Sequence, residues 1–554
     1  MVGAKNGRRR WDERTHVDER ILRTVTSGSS LPQPRSTEPG VIEFTCNGEQ
    51  RQVPDVGASL LDALRDDLSL HSVKDGCSPQ GQCGCCTVLV DGQPRVSCVT
   101  PVRRVRGRVV TTLEGLNAEV SARWADDFLA AGASQCGFCT PGIILRLAGL
   151  EAKKPDADRD QVAQSLAAHL CRCTGWNSII DVWELRRDGT AVDLPSATER
   201  DLDAASQRAT LEGGTTQLVA AAVVLGEAGF ADDTAPDDAL VALRTESGEW
   251  AVGESMHEAR AAANKVQGRR TTLDPHYPLP LPEGDWAATL QTTWVEPGYL
   301  ETDAAWCAPG GIPASPLANG GAFGAKVASE IGEVAQRLAG RHDRPVRALY
   351  SREDSVRLGP KRPPLSAGIN ADGTGIVHVA RTPGIADAIT GVAPGLAVVE
   401  FDVAGPSTSV AIRGAGWVEA TALHAAATGE VTRVPTAEGA GWAEATVADG
   451  RITVRVAAGA PLDDTVLRSY CVGAAHMAFS LVCSEALSVD ADGVIHDLTV
   501  RSFGIARASE MPTVDVIIEP SDGPPVAVSD AVFAAVAAAV WLDRGAPPQW
   551  PVGV

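Results

Sequence analysis

The sequence predicts an α+β protein of several domains, and three observations carry that prediction. Its 554 residues exceed what a single hydrophobic core usually serves. Short strand-like runs with hairpin turns fill residues 40–115, and helical periodicity takes over at 116–184. From residue 213 onward, Ala-rich helical stretches alternate with short Val- and Ile-rich strands, with no detectable repeat.

Residues 1–39 are polar, with scattered Pro and Ser, and read as a disordered arm; no apolar stretch follows Arg8–Arg10 as an export signal requires. VIEFTCNGEQRQV then reads as two strands around an Asn47-Gly48 turn. Ser59 is placed to cap a helix over SLLDALRDDL, where Leu60, Leu61, Leu64 and Leu68 share one face. TVLVDGQPRVSCV predicts a second hairpin and RVVTTLEGL a last strand and turn, so residues 40–115 form a small mixed sheet with one helix. In residues 116–184, SARWADDFLAAG, PGIILRLAGL and RDQVAQSLAAHL predict helices, the second opening at Pro141. Residues 185–212 are polar and low in aromatics and read as a linker. Residues 213–554 form the remaining region, with GRITVRVAAG, GVIHDLTVRSF and TVDVIIEP as its clearest strands.

A hydrophobic content of 44% suits a globular protein, and a net charge of −21 argues against a phosphate-backbone partner such as nucleic acid. The apolar runs at Val219–Leu225 and Phe533–Trp541 fall short of the about 20 residues that span a bilayer. No membrane segment is expected, and the cytoplasm is the expected compartment.

The thirteen cysteines are the most informative residues. Cys136-x2-Cys139 and Cys171-x-Cys173 are separated by thirty-one residues, each pair at the end of a predicted helix. Upstream, Cys77, Cys83 and Cys86 crowd one Gly-rich loop and Cys98 follows after eleven intervening residues. These eight thiols suffice for two 2Fe-2S clusters, each needing four Cys. Gly76, Gly81 and Gly84 let the backbone curl close to the cluster and present N–H groups to its charge. Zinc also takes four Cys, but the crowded loop with a late fourth ligand is unlike paired zinc knuckles. Cys46, Cys85, Cys307, Cys471 and Cys483 are scattered and read as small core residues, with Cys85 notable for lying between two ligand positions. Two clusters in tandem form a wire, which requires an electron source and a sink.

Through residues 41–184 these motifs, QCGFCTPG, HLCRCTGW and KDGCSPQGQCGCC, resemble the iron-sulfur part of the xanthine dehydrogenase and aldehyde oxidase family, the molybdenum hydroxylases. The resemblance implies a β-grasp ferredoxin domain whose Cys77, Cys83, Cys86 and Cys98 bind an outer cluster, followed by a helical domain whose Cys136, Cys139, Cys171 and Cys173 bind an inner one. Gln135 matches the glutamine that reaches the family's molybdopterin. The chain departs from the family text by one extra residue in the first loop and by Cys85; spacing to Cys98 favours Cys86 as the ligand. Trp176 stands where the family usually has Tyr.

Residues 213–554 resemble a shortened molybdopterin-binding subunit. ANGGAFGAK places Gly320, Gly321, Phe323, Gly324 and Lys326 against the cofactor, AIRGAGWVEAT places Arg413, Gly414 and Gly416 there, and RSYCVGAAHMAFSLVC resembles the closing part. The family's base is a glutamate in a Gly-Glu text; the corresponding place here is SDGPPVAVSDAVF, with Gly523 at the glutamate position and Glu519 and Asp522 as nearby carboxylates. Arg352, Glu353 and Arg362 read equally as cofactor neighbours or as a surface ion pair. No Gly-x-Gly-x-x-Gly turn follows a strand, so FAD is expected only on a partner subunit. The resemblance implies oxidation of an aldehyde or N-heterocycle, with electrons leaving through both clusters to FAD-binding or molybdenum-binding partners. The alternative is an electron-transfer subunit whose C-terminal region only docks.

Overall fold

The computed structural model describes residues 40–188, 200–265, 273–314, 321–326, 329–429, 433–437 and 439–554. The expected N-terminal arm and Gly320 lie outside the described residues. The first sheet has the order β2-β1-β5-β3-β4, with β1 Val41–Cys46, β2 Glu49–Pro54, β3 Thr87–Val90, β4 Gln93–Val96 and β5 Val109–Thr111. Asn47 and Gly48 take left-handed φ values of 52° and 85°, the backbone a two-residue hairpin needs. Alternation along β1 buries Ile42, Phe44 and Cys46. β1 pairs parallel to β5, so the chain must cross over between them, and the long Cys-bearing connection lies in that crossover.

Ser59 caps the first helix reciprocally with Asp62. Only Leu60–Asp62 is α-helical; Ala63–Asp67 continue as a wider π-type turn, which still buries Leu60, Leu61 and Leu64. Four helices follow at Ala118–Ala130, Thr140–Glu151, Arg159–Ser165 and Asn177–Asp188, packed around Trp124, Phe128, Ile143, Leu147, Val162 and Trp183.

The expected linker is only partly described, at residues 185–188 and 200–212, and its end is not a linker. Leu202–Gly213 is a helix, capped by Asp201 and closed by Gly214 at φ 65°. Its Ala205 and Ala209 pack on Val466 and Tyr470, and its Arg208 and Glu212 are buried.

Among its described residues the remainder holds three four-stranded sheets. One has the order Trp250–Gly253, Leu240–Arg244, Val346–Leu349, Ala304–Cys307; the second Leu396–Phe401, Gly375–Ala380, Leu365–Ile369, Ala288–Gln291; the third Val434–Pro435, Trp442–Ala448, Arg451–Ala457, Thr513–Ile518. Helices Trp417–Thr428, Asp464–Cys483 and Ser529–Asp543 pack together in the main C-terminal core. Asp464–Cys483 is long and apolar enough to cross a membrane, a stretch the apolar-run reading passed over; all of it but Asp464 and Arg468 is buried within the fold, where those side chains form core.

GVIHDLTVRSF is not a strand. Residues there form an isolated bridge, Val489↔Ile495, and a 3-10 turn, Val500–Phe503. Their backbone finds other partners: Val500 N–H donates to Gln80 Oε1 at 3.2 Å and Arg501 N–H to Gln82 Oε1 at 3.1 Å. The segment therefore binds the Cys loop of the first domain.

Candidate functional site

The four thiols of the first loop are buried and mutually close. Cys77 lies within hydrogen-bonding reach of Cys83 and Cys98, and Cys98 within reach of Cys86. Gln80 and Gln82 donate backbone N–H groups to Cys77 Sγ at 3.2 and 3.4 Å. The thiols of Cys83 and Cys98, with the backbone amides of Gln82 and Cys83, hold the Cys77 thiol well below its usual range against the effect of burial, whereas thiol neighbours and burial push Cys83 and Cys98 up. A set of this kind cannot ionise fully unless cationic metal sits among the sulfurs. Gly76 leaves the room required, since a Cβ there would lie 3.0 Å from Cys83 Sγ.

Cys85 is a fifth thiol beside them: it lies within hydrogen-bonding reach of Cys83, 3.1 Å from where a Gly76 Cβ would sit, and it senses Cys77, Cys86 and Cys171 of the second quartet. Arg352, one of the residues the sequence left between two readings, is fully buried and donates to Gly76 O, Tyr299 O and Leu300 O at 2.5–2.8 Å, so it braces the outer loop. Arg362 is also buried, forked onto Glu419 at 2.6 and 2.8 Å.

The second quartet falls into two pairs. Cys136 and Cys173 have sulfurs 3.6 Å apart, and Cys139 lies in hydrogen-bonding reach of Cys171. The Cys139 thiol, with the Thr174 hydroxyl at 3.0 Å and its N–H at 3.5 Å, lowers Cys171 to about 6 against the opposing effect of burial. Among the described residues no three His, Cys, Asp or Glu side chains converge on one point as a single metal ion requires. Two pairs of thiols suit two iron atoms joined by sulfide, each iron taking one pair. Both quartets therefore fit 2Fe-2S clusters.

The two loops touch. Leu170 N–H donates to Cys83 O at 2.9 Å, and a Cβ on Gly142 would lie 2.4 Å from Gly84 O. The inner loop also abuts the C-terminal region: a Cβ on Gly473 would sit 1.8 Å from Cys173 O, and one on Gly175 2.4 Å from Val472 O. Gln135 Nε2 donates to Cys173 O, Ser469 O and Ser469 Oγ at 3.1–3.2 Å, leaving its buried Oε1 without a partner.

A cavity of about 390 Å³ lies in the C-terminal region, lined among others by Phe323, Gly324, Arg413, Trp417, Ser529 and Asp530. Two of the cofactor-like segments are zipped together there: Arg413 N–H donates to Phe323 O at 3.1 Å, and a Cβ on Gly324 would lie 1.7 Å from Ala411 O. Gly324 takes φ 85°, so both the close approach and the backbone call for glycine. Gly321 is buried at the start of this segment, and Gly414 turns its carbonyl to Arg362 at 2.8 Å. Arg413 pairs with Asp530 and donates to Ser529 Oγ, while Asp530 stays 52% exposed.

Glu519 and Asp522 are elsewhere. Glu519 pairs with Arg455 beside the third sheet, and Asp522 and Gly523 are exposed with open space around Gly523. Sequence reasoning gave no role to Ser529 and Asp530, which lie in the SDGPPVAVSDAVF stretch, or to Glu212, at the end of the expected linker; all three line the cavity.

Two thiol quartets in contact, joined to a cavity-bearing region, define an iron-sulfur oxidoreductase with a built-in electron wire. Residues 44–106 match the 2Fe-2S iron-sulfur cluster binding domain and residues 112–184 the 2Fe-2S binding domain. The nicotinate dehydrogenase small FeS subunit of Eubacterium barkeri is 41% identical over 140 residues, covering 25% of this chain and 88% of that protein. The xanthine dehydrogenase iron-sulfur-binding subunit of Escherichia coli is 38% identical over 143 residues, covering 25% and 89%. The aldehyde oxidoreductase of Megalodesulfovibrio gigas is 38% identical over 165 residues, 29% of this chain and 18% of that protein. Over the whole molecule, the solved structure of aldehyde oxidoreductase from Desulfovibrio gigas aligns with a TM-score of 0.63 at 14% identity, covering 90% of this chain and 97% of that one, a likeness of fold. The chain belongs to the molybdenum hydroxylase family of oxidoreductases, that of xanthine dehydrogenase and aldehyde oxidase.

Proposed function

We propose that this chain is a molybdopterin-dependent oxidoreductase acting on an aldehyde or N-heterocycle, passing electrons through the inner and then the outer cluster to FAD on a partner subunit in the cytoplasm. One observation carries the reading: Phe323–Gly324 and Arg413, about ninety positions apart in sequence, share one cavity beside a helix that touches the inner-cluster loop. When bound, molybdopterin supplies the two-electron oxidation of substrate.

The protein's own residues have separate tasks in this reading. Arg413 offers positive charge to an anionic part of the cofactor, and the backbone around Gly324 and Gly414 permits its close approach. Gln135 Oε1 is a buried acceptor in need of a donor. Tyr470, 2% exposed, lies close enough to sense both the inner-cluster thiols Cys136 and Cys173 and the cavity residues Arg413 and Glu212. Asp530, the half-exposed carboxylate in the cavity wall, accepts the proton that the family assigns to a glutamate and that Glu519 and Asp522 lie away from.

The exposed Gly523 favours a second reading, an electron-transfer subunit whose partner holds the catalytic carboxylate. Metal analysis of the chain from a molybdopterin-producing host separates the two. About four iron with about one molybdenum per chain, on the two-cluster reading, supports the enzyme. Four iron with molybdenum persistently absent overturns it in favour of the relay subunit.

A further inference from the structure

We propose that the helix Leu202–Gly213 is an internal occupant of the cofactor cavity, its Glu212 carboxylate seated where a phosphoryl group of the ligand binds. This rests on the cofactor reading above. The helix Ser529–Asp543 has fifteen residues and begins at the cavity with no side-chain cap at Val528. Its first N–H groups are taken from outside: Val528 N donates to Glu212 Oε1 and Oε2 at 3.2 and 3.1 Å, and Ser529 N to Oε2 at 2.9 Å. A carboxylate thus fills an anion seat that positive helix ends offer to phosphate.

A second observation marks the seat as built for more than one carboxylate. Arg208, fully buried, faces Glu212 with Nη2 3.1 Å from Oε1, an ion pair lacking the alignment of a hydrogen bond. Its Nε, Nη1 and Nη2 have no hydrogen-bond partner. A guanidinium carries five N–H donors, and leaving them unmade in a buried site is costly. A phosphoryl group, with its additional oxygens, would take up donors that Glu212 leaves over.

The other side of the same helix fills the approach to the inner cluster. Ala209, Gln135, Ser469 and Tyr470 line a residual space of about 10 Å³. The Tyr470 hydroxyl and Gln135 Oε1 facing this region are both buried without partners. A Cβ on Gly213 would lie 3.3 Å from the Tyr470 hydroxyl, while Leu211, Glu212, Gly213 and Gly214 line the 390 Å³ cavity. The end of the helix therefore divides two spaces that become one when it withdraws. Seating the cofactor requires that withdrawal, and Glu212 holds the seat until then.

The test uses the full chain from a host that makes no molybdopterin, with inorganic pyrophosphate as probe. Calorimetry is expected to show binding at least tenfold tighter to Glu212→Ala than to the wild-type chain, with Arg208→Ala abolishing the gain. In the wild-type chain, pyrophosphate is expected to speed hydrogen exchange across residues 202–213. Equal pyrophosphate affinity in Glu212→Ala and wild type, or unchanged exchange in saturated wild-type chain, overturns the proposal and leaves Glu212 a fixed helix cap. The wild-type chain from a molybdopterin-producing host provides the separating arm. Molybdenum bound with exchange at 202–213 as slow as in the cofactor-free chain overturns the withdrawal alone. A pyrophosphate response without molybdenum uptake supports the seat while overturning the cofactor reading.

Discussion

Gly473→Ala tests the contact on which the coupling between wire and cavity depends. In the interior of the helix Asp464–Cys483, alanine is normally favoured over glycine by about 1 kcal/mol. Here the added Cβ would lie 1.8 Å from Cys173 O and 3.0 Å from Cys173 C, both backbone atoms of a cluster-ligand residue. Non-bonded heavy atoms settle near about 3.5 Å, so helix and loop have to separate by about 1.7 Å. No rotamer change relieves a backbone clash, which puts the cost at or above the upper end of the overpacking range, about 3 kcal/mol. The net effect is a loss of about 2 kcal/mol concentrated at the inner cluster, because the outer quartet lies on another loop. The assay is iron per chain with electron paramagnetic resonance of the two clusters. The inner-cluster signal is expected to weaken or broaden and iron to fall from about four towards about two, while the outer signal persists. Gly340→Ala is the control: it lies in the helix Ile331–His342 with nothing within 4 Å of the new Cβ, and both signals are expected to be unchanged. Full iron and an unaltered inner signal in Gly473→Ala would refute the reasoning.

Two further outcomes follow from buried charge. Arg172, between Cys171 and Cys173, is forked onto Glu485 at 2.5 and 2.8 Å with both side chains buried; Arg172→Met strands the carboxylate and is expected to cost about 3–5 kcal/mol, with Arg172→Met/Glu485→Met recovering most of it in urea unfolding. Burial lowers His476 from 6.5 to about 4 while its Nε2–H donates to Ala506 O at 2.9 Å, so the core holds the neutral ring. Its contribution is fully present above pH 6.5 and is lost as pH falls towards 4, on the order of 3 kcal/mol. The stability advantage of wild type over His476→Gln is therefore expected to shrink between pH 7 and pH 4.5, and a constant difference across that range counts against it.

The iron-sulfur part was legible because its information is local. Cys136-x2-Cys139 and Cys171-x-Cys173 place thiols at helix ends whatever the distant fold does, and the Asn47-Gly48 turn dictates its own hairpin. The helix Leu202–Gly213 was not legible, and the reason is physical. Its buried face consists of Ala205, Arg208, Ala209 and Glu212, and Arg208 and Glu212 neutralise each other only once folded. Periodicity rules count such a segment as polar and hence as a linker. GVIHDLTVRSF failed for the opposite reason: its composition is strand-like, but Gln80 and Gln82 take the backbone donors a neighbouring strand would have used. The role of Asp530 and Ser529, within the quoted SDGPPVAVSDAVF stretch, was not legible because it arises from meeting Arg413, more than a hundred positions away in sequence.

Two of these failures fall near the same boundary: Leu202–Gly213, whose Ala209 shares a small space with Gln135 and Tyr470, and residues 500–501, which bind Gln80 and Gln82. Within a domain, residue type and period are set by burial that neighbouring residues share, so a sequence carries its own evidence. Across a junction the partner lies hundreds of residues away: Glu212 accepts from Val528 and Ser529 N–H, and Gln80 and Gln82 accept from Val500 and Arg501 N–H. The junction is also where electrons must pass from cavity to wire. Its contacts are polar and reciprocal, as in the buried Arg172–Glu485 pair, so each region fixes side chains of the other there.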